Sequence, residues 1–284
     1  MKLLAATDFS TRSNRALRQA GLLAHSNKQA HLHVVHVVDD DQPTDLINLE
    51  KLEAGRLLQE QVRSMPELQN IKVTPVVTTG YAFDGILKTA DTVNADLIVM
   101  GSHRKQLLLD IFTGTTIERV IRKGTFPVLM VNFEAQRSYG NIVAPIDTTE
   151  SSAPALKVAL ALGLMDSKHA TILHAFTPLA KGKMYVANAD TQSINRYVAK
   201  ERAQVTDDLA AFLAANKLNE NSWSFRVEEG APFEVIAKAV NEMRPDLLVM
   251  GTQTRRGLLK SLIGSVTEEA LRSLNVDILA VPSA

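Results

Sequence analysis

Two aspartates, four glycines and two small hydroxyl residues recur at matched places in this chain of 284 residues. Asp8 and Asp147 each follow a short apolar run, Gly101 and Gly251 each end one, and thirteen residues after each of those glycines stand Gly114-Thr115 and Gly264-Ser265. A glycine and hydroxyl pair opening a helix suits an anion. The first amides of a helix have no intrahelical acceptor, the dipole is positive there, and glycine lets the backbone approach closely. An aspartate facing such a seat across a cleft suits ribose hydroxyls. The same residues serve equally well as turns and helix caps.

Other reactive side chains are weaker candidates. His31 and His33 are two apart on a strand and share a face, which permits a metal, but no third ligand is evident and packing or surface hydrogen bonding is favoured. His36 and His174 recur at the end of the second strand of each copy, where a structural hydrogen bond is expected. His103 has no evident partner for acid or base work. Arg255, Arg256 and Lys260 read as a solvated basic face near the same loop. The chain has no G-x4-G-K-S/T loop, G-x-S-x-G elbow or H-E-x-x-H pair, so no catalytic residue and no metal ligand is assigned.

The elements that must position these residues are duplicated. Asp96 to Ser102 and Asp246 to Thr252 are near copies, and Gly80-Tyr81-Ala82-Phe83 and Gly230-Ala231-Pro232-Phe233 keep the same offset of 150. Asp8 and Asp147 lie only 139 apart, so the second copy has gained length, most of it between His174 and Gly230. Short apolar runs alternate with longer amphipathic ones, the pattern of a parallel sheet with helical crossovers. Strands are expected near Lys2 to Thr7, His31 to Val38, Ile71 to Thr78, Asp96 to Met100 and Pro127 to Val131. In the second copy they fall near Asn141 to Ile146, Ala170 to Phe176, Ser224 to Glu229, Asp246 to Met250 and Asp277 to Val281. Helices are expected over Asn14 to His25, Leu46 to Met65, Ala82 to Val93 and Thr115 to Lys123, where apolar positions such as Leu17, Ala20, Gly21 and Ala24 have helical spacing. The fold class is α/β: two tandem doubly wound domains, residues 1–135 and 140–284, each an open five-stranded parallel sheet with flanking helices. The join, Asn132 to Tyr139, is short and polar, which implies packed domains.

In such sheets ligands bind beyond the carboxyl ends of the strands, where strand order reverses. Asp8, Gly101 and the Gly114 helix start should therefore gather, as should Asp147, Gly251 and the Gly264 helix start. Composition removes several other classes. With 31 basic and 31 acidic residues there is no net electrostatic footprint for nucleic acid or an anionic membrane. The absence of cysteine excludes disulfides and thiolate chemistry. The first residues are too short an apolar run for a signal peptide and no window reaches membrane-spanning length, so a cytoplasmic protein is expected.

The Met-Gly-Ser/Thr strand end, the later Gly-Ser/Thr helix start and the early Asp-x-Ser/Thr turn, recurring in order in both halves, resemble the universal stress protein family over nearly the whole chain. The resemblance implies a stress-response role and, through the pattern G-x2-G-x9-G-S/T of its ATP-binding branch, an adenine nucleotide as ligand and ATP as cofactor. Carried over, the second copy offers Pro145, Asp147, Ala175, Met250, Gly251, Gly264, Ser265 and Val266. The first offers Ala6, Asp8, Val37, Met100, Gly101, Gly114, Thr115 and Thr116. Both copies depart from the pattern at its second glycine, where Arg104 and Thr254 stand. The second copy ranks ahead, because threonine is smaller and Pro145 matches the family where Ala6 does not.

Three functions remain open: nucleotide or other small-ligand binding, slow nucleotide hydrolysis or phosphoryl transfer, and an interaction module with vestigial clefts. An internal pseudo-dimer joined through Val128 to Val131 and Ile278 to Val281 is expected, because pairing removes an apolar sheet edge. A homodimer is also compatible. The extra length of the second copy is placed at Thr177 to Asp190, as a segment bordering the second cleft through Lys181, Lys183 and Tyr185.

Overall fold

A computed structural model describes residues 1–102, 114–134, 137–148, 152–166, 168–218, 223–252 and 263–282. Arg104, Thr254, His103, Arg255, Arg256 and Lys260 lie outside the described residues. In the first half β1 (Lys2–Ala6), α1 (Thr11–His25), β2 (His31–Val38), α2 (Thr44–Ser64), β3 (Lys72–Thr79), α3 (Ala82–Val93), β4 (Leu97–Gly101), α4 (Thr116–Lys123) and β5 (Val128–Val131) follow in order. The second half contains β6 (Ile142–Pro145), α5 (Ser152–Ala161), β7 (Ala170–Phe176), α6 (Lys181–Val186), α7 (Thr191–Ala215), β8 (Ser224–Glu229), α8 (Pro232–Met243), β9 (Leu247–Gly251), α9 (Ser265–Ser273) and β10 (Asp277–Val281). Each strand bound matches the expected one or shifts by one residue. Helix α1 starts three residues before Asn14 because the Ser10 hydroxyl caps it, accepting from Ser13 N–H at 3.3 Å.

The strands form one ten-stranded sheet in the order β3-β2-β1-β4-β5-β10-β9-β6-β7-β8. Pairing is parallel within each half and antiparallel where the halves meet, with Met130 opposite Ile278, Leu129 opposite Leu279 and Val128 opposite Ala280. The expected junction through the two last strands is thus present. Strand alternation sends successive residues to opposite layers. Leu3, Leu97, Leu129 and Leu279 pack under α1, α2, α5 and α7, while Leu4, Ile98, Met130 and Ile278 pack under α3, α4, α8 and α9. Both layers are continuous across the junction. The outer edges are β3 and β8; Pro75 removes an edge donor from β3, which discourages further pairing.

The linker is tied down at both ends by one carboxylate. Asp277, buried at the start of β10, accepts from the backbone N–H of Asn132 at 2.7 Å, from that of Phe133 at 3.2 Å and from the Tyr139 hydroxyl at 2.8 Å. Burial raises the pKa of Asp277 and also that of Tyr139, whose second cause is the Asp277 charge itself. Arg15 and Arg18 on α1 hold Glu134 from the other side.

The lengthened segment of the second copy falls where expected but does something else. Thr177 to Asp190 contains α6, which packs on α7, and Lys181 pairs with Glu229 at the end of edge strand β8 at 2.7 Å. None of its residues lines the second cleft, so the expected border role is corrected. Its position is fixed by the β8 ion pair and by the Tyr197 hydroxyl, which accepts from Ala180 N–H at 3.1 Å.

Replacing Asp277 with alanine strands two amides and a phenol at the junction and should lower folding stability by about 2 to 4 kcal/mol. Denaturant unfolding checks this; a change within about 0.5 kcal/mol would show that the linker is held by other contacts.

Candidate functional site

Strand order reverses between β1 and β4 in the first half and between β6 and β9 in the second. Each reversal leaves a cleft beyond the carboxyl ends of the two strands. The first, a cavity of about 270 Å³, is lined by Ala6, Asp8, Val37, Met100, Gly101, Thr115 and Thr116, together with Ser10, Arg12, Ser13 and His36. Gly114 stays outside this lining set. The second cavity, about 380 Å³, brings together all eight residues carried over for it: Pro145, Asp147, Ala175, Met250, Gly251, Gly264, Ser265 and Val266.

The turn after the first strand is built the same way in both copies. Thr7 N–H donates to the Val35 carbonyl at 2.9 Å, and Ile146 N–H to that of Leu173 at 2.9 Å, extending the ladder one residue past the strand. The carbonyls of Thr7 and Ile146 accept from Nδ1 of His36 at 2.9 Å and of His174 at 2.8 Å. A carbonyl only accepts, so Nδ1 carries the proton and, in the neutral ring, Nε2 is left as an acceptor. The next residue but one enters the left-handed region in each copy, Phe9 at φ 60° and Thr148 at φ 55°. A side chain other than glycine adopts that conformation at a cost, so the surrounding bonds must hold it.

Those bonds converge on the aspartates. Ser152 donates its hydroxyl to Asp147 Oδ1 at 2.7 Å and accepts from the Asp147 N–H at 3.2 Å. Asp8 Oδ1 accepts from Ser10 N–H at 3.0 Å. Burial alone would raise the pKa of Asp8, but hydrogen bonds from Ser10 and Ser13 outweigh it and keep the group below its ordinary value. Ser13 and Ser152 hold equivalent positions, five residues after each aspartate. The repeat offset of 139 marks this serine pair in the sequence, yet reading only the loop residues passes over it.

Gly101 has a second job. A Cβ there would lie 2.5 Å from the Arg12 carbonyl oxygen, so its bareness lets the first turn of α1 sit against the end of β4. At the helix starts the copies differ. Helix α4 is capped by the Thr115 hydroxyl, which accepts from Glu118 N–H at 3.2 Å, while the Glu118 carboxylate accepts from Gly114 N–H at 3.2 Å. Gly114 takes φ +86° to allow this. Helix α9 starts one position earlier, with Gly264 as its N-cap at φ −59° and no side-chain cap among the described residues. Thr267 turns its hydroxyl to the Gly251 carbonyl at 2.8 Å, which ties α9 to the end of β9.

His31 and His33 line neither cavity. Their rings are 4.0 Å apart, and His31 Nε2 is 2.8 Å from the Thr74 hydroxyl. Among the described residues no three His, Cys, Asp or Glu side chains form a metal-capable group. No helix among them is long and apolar enough to cross a membrane.

The universal stress protein family model matches twice, over residues 1–132 and 138–282. Universal stress protein MJ0577 of Methanocaldococcus jannaschii is 30% identical over 152 residues, covering 46% of this chain and 93% of that protein. A universal stress protein E homolog of Haemophilus influenzae is 23% identical over 207 residues, 70% of this chain and 65% of that protein. A universal stress protein of Archaeoglobus fulgidus has the same fold, with a TM-score of 0.73 at 18% identity, covering 100% of this chain and 98% of that one.

The histidine pair generates an acid-side prediction. His31 has its pKa lowered by burial and then by Lys72 and Lys2, and His33 by burial, then by His31 and the two lysines. The folded state therefore resists protonation that the unfolded chain accepts near pH 6.5, and stability should decline as pH falls through that value. Thermal unfolding from pH 7.5 to 5 should show this decline, and the double variant His31→Gln/His33→Gln should flatten it. An unchanged slope in the double variant would assign the acid sensitivity elsewhere.

Proposed function

Because the chain belongs to the universal stress protein family, we propose that it is a cytoplasmic stress-response protein that binds an adenine nucleotide, ATP, in at least one of its two domains. With domains taken as residues 1–135 and 140–284, the second ranks ahead. The observation that carries this is the second cavity: Pro145, Asp147, Ala175, Met250, Gly251, Gly264, Ser265 and Val266 line one space of about 380 Å³. That volume lies within the usual range for small-ligand sites, roughly 300 to 1,000 Å³, while the first cavity, about 270 Å³, falls just below it.

Each group has a chemical task in this reading. The first turn of α9 opens into the cavity from a glycine N-cap, so its amides and the Ser265 hydroxyl suit phosphate oxygens. Asp147, oriented by Ser152, suits ribose hydroxyls. Pro145, Ala175, Val235 and Ile236 supply apolar walls for a base. In the first copy the equivalent seat is Ala6, Asp8, Val37, Met100, Gly101, Gly114, Thr115 and Thr116. The cavity there also has Arg12, a basic group favouring phosphate, but the Thr115 hydroxyl is already engaged as a cap.

Calorimetric titration of ATP into variants tests the order of the domains. Gly264 has a backbone conformation any residue adopts, so Gly264→Val acts by filling the cleft and should weaken binding about tenfold or more. Gly114→Val should leave the affinity within about threefold, even though φ +86° adds strain there. Equal losses, or a larger loss from Gly114→Val, would reverse the ranking. Mass spectrometry of ligand released from the purified protein tests the nucleotide itself; absence of any adenine nucleotide together with no ATP heat would overturn the reading.

A further inference from the structure

The turn between each cleft aspartate and the serine that follows it carries opposite charge in the two copies. Asp8 and Ser13 enclose Phe9-Ser10-Thr11-Arg12, whereas Asp147 and Ser152 enclose Thr148-Thr149-Glu150-Ser151. An arginine thus stands where the second copy has Ser151. Among the described residues Arg12 is the one arginine or lysine that lines the first cavity, and none lines the second. It is half-buried, and no carboxylate among the described residues pairs with it. The nearby acids are engaged elsewhere: Glu134 is held by Arg15 and Arg18, and Asp8 accepts from Ser10 N–H at 3.0 Å.

Arg12 is also fixed in place. Its carbonyl oxygen packs on Gly101, where a Cβ would lie 2.5 Å away, so the first turn of α1 is pinned against the end of β4. An unpaired guanidinium is thereby anchored at the rim of a formed cavity.

We propose that Arg12 makes the first cleft a site for a nucleoside monophosphate, with the guanidinium taking the phosphate and setting the charge the cleft accepts. The proposal rests on the reading of the clefts as nucleotide sites. The apolar walls are alike in the two copies, Val37, Ala82 and Ile86 matching Ala175, Pro232 and Ile236, so both clefts offer the same seat for a base. With that seat shared, the smaller volume of the first cavity, about 270 Å³ against about 380 Å³, favours a shorter phosphate chain. A guanidinium presents parallel N–H donors that match two oxygens of one phosphate, and such charge-assisted bonds are about twice as strong as neutral ones. The second cleft offers only neutral donors among its described lining residues, the first amides of α9 and the Ser265 hydroxyl. The Thr115 hydroxyl of the first cleft is taken up as a helix cap, which leaves the arginine as its principal phosphate donor.

The test uses the full chain carrying Gly264→Val, so that the second cleft is blocked, with AMP, ATP and adenosine as separate probes in calorimetric titration. AMP should bind about tenfold or more tightly than adenosine, and more tightly than ATP. Adding Arg12→Gln should weaken AMP about tenfold or more while adenosine stays within about threefold, and Arg12→Lys should recover part of the loss. The adenosine affinity separates loss of a phosphate contact from general damage to the cleft. An AMP loss below about threefold, adenosine or ATP matching AMP before Arg12 is changed, or no AMP binding at all overturns the proposal. Should the variants fail to fold, the unmutated protein supplies a second measurement by amide resonances. There Ser13 and Gly101 should move at lower AMP than adenosine concentrations, and that difference should shrink as salt is raised. A difference that salt leaves unchanged overturns the proposal. If the unmutated protein binds no ATP at the second cleft, the reading of that cleft fails, while the comparison of AMP with adenosine still decides the role of Arg12.

Discussion

The antiparallel pairing of β5 with β10 sets everything else. Each half builds an open parallel sheet, and such a sheet ends in a strand with unpaired backbone groups and apolar side chains on both faces. Here Val128, Leu129 and Met130 meet Ala280, Leu279 and Ile278, all buried. Because all strands within a half run one way and the junction is antiparallel, the two halves run in opposite directions. Their carboxyl edges, and hence their clefts, open on opposite sides of one sheet. The helices beside the junction also become neighbours, which is how Arg122 of α4 comes within reach of Glu268 of α9.

This constraint explains why the linker needs an ionisable group in a buried place. Two-fold pairing brings β5 and β10 into register, but the chain must still leave β5 and travel to β6. Asp277 gathers the first amides after β5 and the phenol of Tyr139 before β6. Its repeat-equivalent in the first half is Pro127, which carries no acceptor side chain. The two-fold relation is broken at the one point where the connectivity is not symmetric.

The strands were legible because burial on both faces demands near-continuous apolar runs, and the junction followed from the fate of an edge. Seven of the eight residues carried over for the first cleft and all eight for the second line their cavities, since sheet topology alone brings those strand ends together. What was not legible depends on side-chain direction. Ser13 and Ser152 sit in an ordinary first helical turn, and only the fold aims them at the aspartates. The left-handed Phe9 and Thr148 carry no glycine to announce them. The segment holding α6 was placed correctly by length, but its attachment to β8 depends on Lys181 meeting Glu229 across 48 residues of sequence. Gly101 shows the opposite error of emphasis: it looks like room for a ligand and also makes room for α1.

The duplicated halves have diverged where divergence is cheap. A one-residue slip in a strand would turn its core face outward, so β1 and β6 keep the same turn, the same histidine bond and the same serine. A one-residue slip at a helix start exchanges one cap for another, at a cost of about 1 kcal/mol. That is the difference between α4, capped by Thr115 and closed by Glu118, and α9, beginning at Gly264. Such a small cost separates a helix start closed by the Thr115 hydroxyl and the Glu118 carboxylate from one that begins on a glycine N-cap. Two clefts built on the same strand ends can therefore acquire different ligand preferences without any change in the sheet that forms them.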